Sequence, residues 1–335
     1  MNKSGISDPD MRDTRLEIRE DGTFGLNVGV GAGVDRYFRE LNEDNQSIKI
    51  DSERAFGVDN KMRFGGVSTF KSREFELYQY YFRNWTDKEI TGEADDLLSN
   101  EMVWNPNSDE GIYVRGTFNP SNQYESKMKN HGLYAMTELS LIQDLKFVGG
   151  VRMEIAKMNY TGQDQNNNVL SDSLLLDELN ILPSMNLIYS LNENMNLRGS
   201  FNQTLARPTF KEKSNVQIYD PITARTFIGN LKLNQTYINN YDFRWEFFYS
   251  RSEMVSVSAF YKQFDGHIEL TSFKNAPDQV TPRNAGQSTV AGVEIEFRKD
   301  LTELFSFGMN ASFVKSNSRI SQSPPIVVFT SVSQV

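Results

Sequence analysis

From Tyr241 to Phe247 aromatic and charged residues alternate without a break. Tyr241, Phe243, Trp245 and Phe247 fall on one parity, and Asp242, Arg244 and Glu246 on the other. Successive side chains of a strand point to opposite faces, so this segment predicts a strand with one aromatic and one charged face. The period of two recurs. Phe24, Leu26, Val28, Val30, Ala32 and Val34 form an apolar row, and Val151, Met153 and Ile155 alternate with Arg152 and Glu154. Leu197 and Phe201 alternate with Arg198 and Ser200; Val293, Ile295 and Phe297 alternate with Glu294, Glu296 and Arg298; Phe305 to Phe313 repeats the pattern. No comparable stretch shows a 3.6-residue period, so the chain reads as all-β.

Aromatics against charges, strand after strand, imply apolar solvent on one face and water on the other, the pattern of an antiparallel transmembrane β-barrel. Tyr241, Phe243, Trp245 and Phe247 are then expected to face lipid. Arg152, Glu154, Arg198, Asp242, Arg244, Glu246, Glu294, Glu296 and Arg298 are expected to face the lumen, either meeting a passing ligand or forming cross-strand charge ladders.

The connections alternate in length. Short turns are expected near Glu20–Gly22, Ser72–Glu74, Gln143–Asp144, Asn192–Asn194, Ser250–Glu253 and Asp300–Glu303. Long connections are expected near Glu40–Asn60, Thr86–Asn130, Thr161–Asn180, Ala206–Ile238 and Gly266–Ser288. Tight turns at one end and large loops at the other are the habit of outer-membrane barrels. About twelve strands result, most reaching the roughly 9–11 residues that a tilted strand needs to cross a bilayer. They are 13–19, 24–38, 61–72, 75–85, 131–142, 145–158, 181–191, 195–205, 239–250, 254–265, 289–299 and 304–316.

Composition sharpens this picture. Only 38% of the 335 residues are hydrophobic, and no run is long enough for a spanning helix, but a barrel dilutes its apolar signal with lumen residues. Aromatics make up 12%, in keeping with interfacial girdles. Cysteine is absent, which removes disulfides, thiolate metal sites and cysteine nucleophiles. The net charge of −9 resides in 86–130 and 161–180, which carry −5 and −4, so nucleic acid is not an expected partner.

Candidate chemistry is sparse. Arg207, Lys211, Lys213 and Arg225 make the connection 206–238 basic, and Arg207, Lys211 and Arg225 are the candidate contacts to an anionic ligand such as a metal–chelate complex; solvated charge or loop pairing is the alternative. Asp95-Asp96 and Asp177-Glu178 lack the spacing of a calcium loop. Gly29-Val30-Gly31-Ala32-Gly33 fails the dinucleotide fingerprint because Val34 stands where a glycine is needed. His131 and His267 are far apart. No nucleophile–base pairing or metal spacing is present, so no enzyme activity, metal site or cofactor is expected.

The ordered segments Leu182-Pro183-Ser184-Met185-Asn186-Leu187, Asn196-Leu197-Arg198-Gly199-Ser200-Phe201 and Thr204-Leu205-Ala206-Arg207-Pro208-Thr209-Phe210 carry a family resemblance. Gly229-Asn230-Leu231, Asn240-Tyr241-Asp242-Phe243-Arg244-Trp245-Glu246, Phe260-Tyr261-Lys262 and Gly292-Val293-Glu294-Ile295-Glu296-Phe297 continue it. Residues 131 to 316 resemble the C-terminal barrel of TonB-dependent outer-membrane receptors, particularly the Bacteroidetes type. Leu231 departs from the pattern, a proline usually following the Gly-Asn pair.

The resemblance implies a Gram-negative outer-membrane location and a barrel of about 22 strands, of which this chain holds a little over half. It implies energy-coupled uptake of a specific ligand bound by long outer loops, with outer-membrane lipid, a plug domain and the inner-membrane energy-coupling complex as partners. The first twenty residues lack an apolar signal stretch. Residues 1–316 are expected to be a partial barrel without its plug, and 317–335, including Pro324-Pro325, a truncated or irregular tail. A plugless porin-like channel and a soluble β-rich binding protein are the other two readings.

Overall fold

The computed structural model describes residues 2–7, 11–14, 16–18, 20–26, 34–57, 59–84, 99–107, 111–220, 223–250, 252–302 and 304–318. The glycine run 29–33, Asp95-Asp96 and the tail from Ile320 to Val335 lie outside the described residues.

Thirteen strands form one antiparallel sheet. Its order is β1 (Asn2–Ser7), β5 (Val34–Phe56), β6 (Asn60–Asn84), β8 (Tyr124–Ile142), β9 (Leu145–Gln163), β10 (Val169–Asn192), β11 (Met195–Ala206), β14 (Thr236–Phe248), β15 (Met254–Asp265), β18 (Gln287–Asp300) and β19 (Ser306–Ser318). Two shorter strands prolong it: β2 (Met11–Thr14) beside β5 and β7 (Ile112–Phe118) beside β6. The sheet is thus eleven positions wide among the described residues. Each strand pairs with the next strand of the wall in chain order, so the wall is a meander of antiparallel strands, and full backbone pairing is what lets strands stand in lipid.

Two expected connections are strand. Glu40–Asn60 is not a long loop: β5 runs through it and turns at 57–59, where Gly57 and Asp59 both take positive φ. Ser72–Glu74 is not a turn: β6 continues across it for 25 residues. Both misreadings share a cause, since Glu40–Ser47 holds a single apolar residue, Leu41, and Ser72–Glu74 holds none, so both look like loop. Likewise the connection expected at Thr161–Asn180 shrinks to 164–168, where Asp164 accepts from the backbone N–H groups of Asn166 and Asn168, each at 2.8 Å. The turn at Glu20–Gly22 exists, but it closes a minor hairpin of β3 (Leu16–Ile18) and β4 (Phe24–Leu26), not two spanning strands. The alternation of short and long connections holds from β10 to β19, where 207–235 and 266–286 are long, and fails between β9 and β10. Turns at 57–59, 143–144, 193–194, 249–253 and 301–305 share one end of the wall, because Lys61 at the start of β6 faces Glu138 near the end of β8.

The two faces of the wall exchange polarity partway along the strands. On β9, Val151, Met153 and Ile155 expose 46%, 40% and 39% of their surface on one face, while Arg152 and Glu154 occupy the other. From Ala156 onward the charged face becomes apolar: Ala156, Met158 and Tyr160 are fully buried, and Lys157 and Asn159 take over the outer face. On β6, exposed Met62, Phe64 and Phe70 give way to Glu74 and Glu76, and Arg73 on the opposite parity gives way to buried Phe75 and Leu77. Below this line the outer face suits hydrocarbon; above it the same face suits water.

Candidate functional site

The charged face is organised by register. Arg198 on β11 stands directly opposite Arg244 on β14, an unfavourable pairing of like charges. Glu246, two residues along the same face, resolves it: Arg198 Nε and Arg244 Nε each donate to its carboxylate at 2.8 Å. Arg244 also donates to Glu296 at 3.1 Å, and Arg298 pairs with Glu296. Asp242 accepts from Ser200 Oγ at 3.3 Å, and Glu294 lies between Ser258 and Ser312. Arg152 Nε donates to Glu154 at 2.6 Å. Gly132 faces Glu154 across the strands, and a Cβ there would overlap the Arg152 guanidinium. The nine charged residues chosen from the sequence therefore share one face, where seven form two groups, one around Glu154 and one around Glu246, and Asp242 and Glu294 stand beside serines.

The connection from β11 to β14 folds back over this face. Its Arg207 Nη2 donates to Glu154 Oε2 at 2.7 Å, and the Asn215 backbone N–H donates to Tyr160 Oη at 3.2 Å. Arg39 Nη2 reaches the Tyr219 carbonyl at 2.6 Å, and Gln217 N–H donates to Asn122 Oδ1 at 3.1 Å. Phe210, Val216 and Ile218 pack against Tyr37, Phe75, Leu77, Tyr124 and Met158, which explains the apolar switch in the outer part of the wall. Burying each such side chain stabilises by about 1.5–3 kcal/mol, enough to hold the connection down. A four-stranded sheet of β12 (Gln217–Asp220), β13 (Arg225–Ile228), β17 (Ala276–Asn284) and β16 (Ile268–Phe273) then ties it to the connection between β15 and β18.

The basic residues of this connection do not act together. Lys213 is buried and donates to the carbonyls of Leu231 and Leu233 at 2.9 and 2.5 Å, a structural clasp; burial holds its pKa below the ordinary lysine value. Lys211 lies 4.5 Å above the Phe227 ring, its pKa also lowered by burial. Arg225 stands opposite Asp220 on the small sheet. Arg207 lines a cavity on the wall.

That cavity, about 340 Å³, lies between the start of the connection and strands β5, β6 and β8. Glu43, Lys71, Arg73, Asn130, Arg207 and Phe210 line it. Arg73 is paired with Glu43 at 2.5 Å and lies 5.4 Å from the Phe210 ring centre. Arg207 Nε and Asn130 Oδ1 are buried there with no hydrogen-bond partner among the described residues, and such groups are costly unless something fills the space. Sequence reading missed Lys71, Arg73 and Asn130, because Arg73 fell in an expected turn and Asn130 at an expected strand edge. Asp177 pairs with Lys157 at 3.1 Å and stands on the opposite parity from Glu178. Among the described residues no three acidic or histidine side chains gather as a metal site.

A model of the TonB dependent receptor-like β-barrel matches residues 4–330. The chain belongs to the TonB-dependent receptor β-barrel family. No curated protein matches its sequence. Among solved structures, it is similar to the ferripyoverdine receptor of Pseudomonas aeruginosa, with 14% identity and a TM-score of 0.56 over 96% of this chain and 38% of that one. It is similar to the ferric yersiniabactin uptake receptor FyuA of Yersinia pestis, with 13% identity and a TM-score of 0.53 over 85% and 37%. The copper transporter OprC matches at 12% identity and a TM-score of 0.58 over 87% and 41%. The chain thus spans about two fifths of the receptors it matches. Members of this family are transport receptors of the Gram-negative outer membrane, not enzymes, and that membrane is where this TonB-dependent receptor barrel resides.

Proposed function

We propose that this wall is part of a ligand-specific, energy-coupled uptake receptor, and that the cavity beneath Arg207 and Phe210 receives an anionic group of the ligand. The observation that carries the reading is the cavity itself, with Lys71, Arg73 and Arg207 around it and two buried polar atoms without a partner among the described residues. It lies where the wall passes from its lipid-suited to its water-suited part, within reach of a ligand arriving from outside. The aromatic face meets lipid and the charged face meets the lumen, where a plug domain coupled to the inner-membrane energy complex closes the path. Ferripyoverdine, ferric yersiniabactin and copper, named for the similar structures, support a metal ion or its chelate as the ligand class.

The test is uptake by iron-starved cells expressing the complete receptor, offered radiolabelled ferric carboxylate and ferric catecholate chelates. One class should accumulate, and a protonophore should abolish its accumulation. Accumulation that is receptor-dependent yet indifferent to the protonophore would establish a passive channel instead.

A further inference from the structure

The two unpartnered atoms in the cavity beneath Arg207 and Phe210 ask for opposite things. Arg207 Nε is a donor that needs an acceptor, and Asn130 Oδ1 is an acceptor that needs a donor. Register explains both. Asn130 on β8 stands between Thr69 on β6 and Ala156 on β9. Ala156 has no side-chain donor, and the Thr69 hydroxyl lies 3.3 Å from Ser47 Oγ. Gly132, the next residue on that face of β8, stands opposite Glu154, which takes Arg207 Nη2 at 2.7 Å and leaves Nε unpaired. Lys71 faces Met128 and so lies diagonal to Asn130, about 7–8 Å away between backbones. A donor cation, a second cationic donor and a lone acceptor thus line one space.

We infer that this cavity selects a carboxylate with a free hydroxyl on the adjacent carbon, the group shared by hydroxy acids such as citrate and sugar acids such as gluconate. The carboxylate accepts from Lys71 and Arg207 Nε, and the hydroxyl donates to Asn130 Oδ1. A group that enters displaces solvent, and it loses affinity unless it makes both kinds of bond. A bare carboxylate answers Arg207 and strands Asn130. An ammonium in place of the hydroxyl would stand among Lys71, Arg73 and Arg207, with Glu43 the one carboxylate in the lining. Monohydrogen phosphate has a proton to give, but Met128, Leu205, Pro208 and Phe210 line the same cavity. They suit a carbon skeleton and would leave phosphate oxygens without partners. Oxygens that bind a metal have their protons removed or engaged, so the selected group is one that the metal of a chelate leaves free. The inference deepens, and rests on, the reading that the cavity receives an anionic group.

The experiment is equilibrium dialysis of the complete receptor, purified in dodecyl maltoside, against one labelled, metal-free probe at a time. The probes are citrate, tricarballylate, gluconate, the gluconate analogue lacking the hydroxyl beside its carboxylate, and inorganic phosphate. Tricarballylate is citrate without its hydroxyl. At least one of citrate and gluconate should be retained about tenfold more tightly than its hydroxyl-free analogue, and which one tells a polycarboxylate from a sugar acid. Asn130→Leu, close in shape, should bring that acid down to the level of its analogue and leave the analogue unchanged. Lys71→Gln should weaken acid and analogue alike, and both variants should keep the heat-dependent gel shift of a folded barrel. Equal retention within both pairs overturns the inference, as does phosphate held at the level of the acids, or retention of none of the probes. The comparison of probes on the unaltered receptor stands whether or not a variant folds. If Lys71→Gln weakens the acids but the hydroxyl makes no difference, only the hydroxyl selection fails. If Lys71→Gln changes nothing, the anion-receiving cavity fails and the inference with it.

Discussion

Arg207 and Glu154, 53 residues apart in sequence, meet at 2.7 Å where the connection after β11 turns down onto the wall. Both side chains are largely buried, at 14% and 11% exposure, so the pair acts as an anchor and not as surface decoration. Glu154→Gln removes the charge that Arg207 and Arg152 share. The expected result is an anchor weakened by about 1–3 kcal/mol, read as faster tryptic cleavage after Lys211 and Lys213 in the otherwise folded protein. Unchanged cleavage would show that the apolar contacts of Phe210, Val216 and Ile218 hold the connection without it.

Glu246 is gripped by two arginines that face each other, so its loss leaves a repulsive pair with the side chain that screened them removed. Glu246→Gln should destabilise the wall by about 1–3 kcal/mol. The urea midpoint of the protein in micelles, followed by Trp245 fluorescence, measures it. A shift confined to variants of Arg298 would instead place the weight of the ladder on Glu296.

Tyr160 is fully buried under the connection, and burial pushes its pKa up to about 12. The folded value is raised above the unfolded one near 10, so this contribution to stability is complete below pH 10 and is lost as pH rises toward 12. Absorbance at the phenolate band should show a late-titrating component that Tyr160→Phe reduces by one tyrosine. Titration of all tyrosines together near pH 10 would mean that the connection does not cover the wall.

The exchange of polarity along β9 locates the edge of the hydrocarbon. Val151→Arg should cost about 2–4 kcal/mol of stability in lipid vesicles, whereas Asn159→Arg should cost about 0–1. Equal costs at the two positions would remove the boundary drawn between Ile155 and Lys157.

Lys71 lines the cavity without an acidic partner among the described residues. Lys71→Gln should weaken retention of the transported ferric chelate roughly tenfold, a loss of one charge-assisted contact, and raised salt should shrink the difference. Retention independent of both substitution and salt would place the ligand elsewhere.

Much of the wall was legible because lipid on one side and water on the other impose a parity that survives in the residues themselves. The hairpins β8–β9, β10–β11, β14–β15 and β18–β19, the shared face of Asp242, Arg244 and Glu246, and the family all follow from local alternation and ordered motifs. The stretches 40–47 and 72–74 were not legible, because strands that stand in water on one face and under a folded connection on the other carry too few apolar residues to show the alternation. Nor was the cavity. Lys71, Asn130 and Arg207 belong to three separate segments, and only the inward fold of the connection after β11 brings them together. Register decided the rest: a strand's sequence states which residues share its face, but hydrogen-bonded pairing alone sets Lys129 against Lys157 and Arg198 against Arg244.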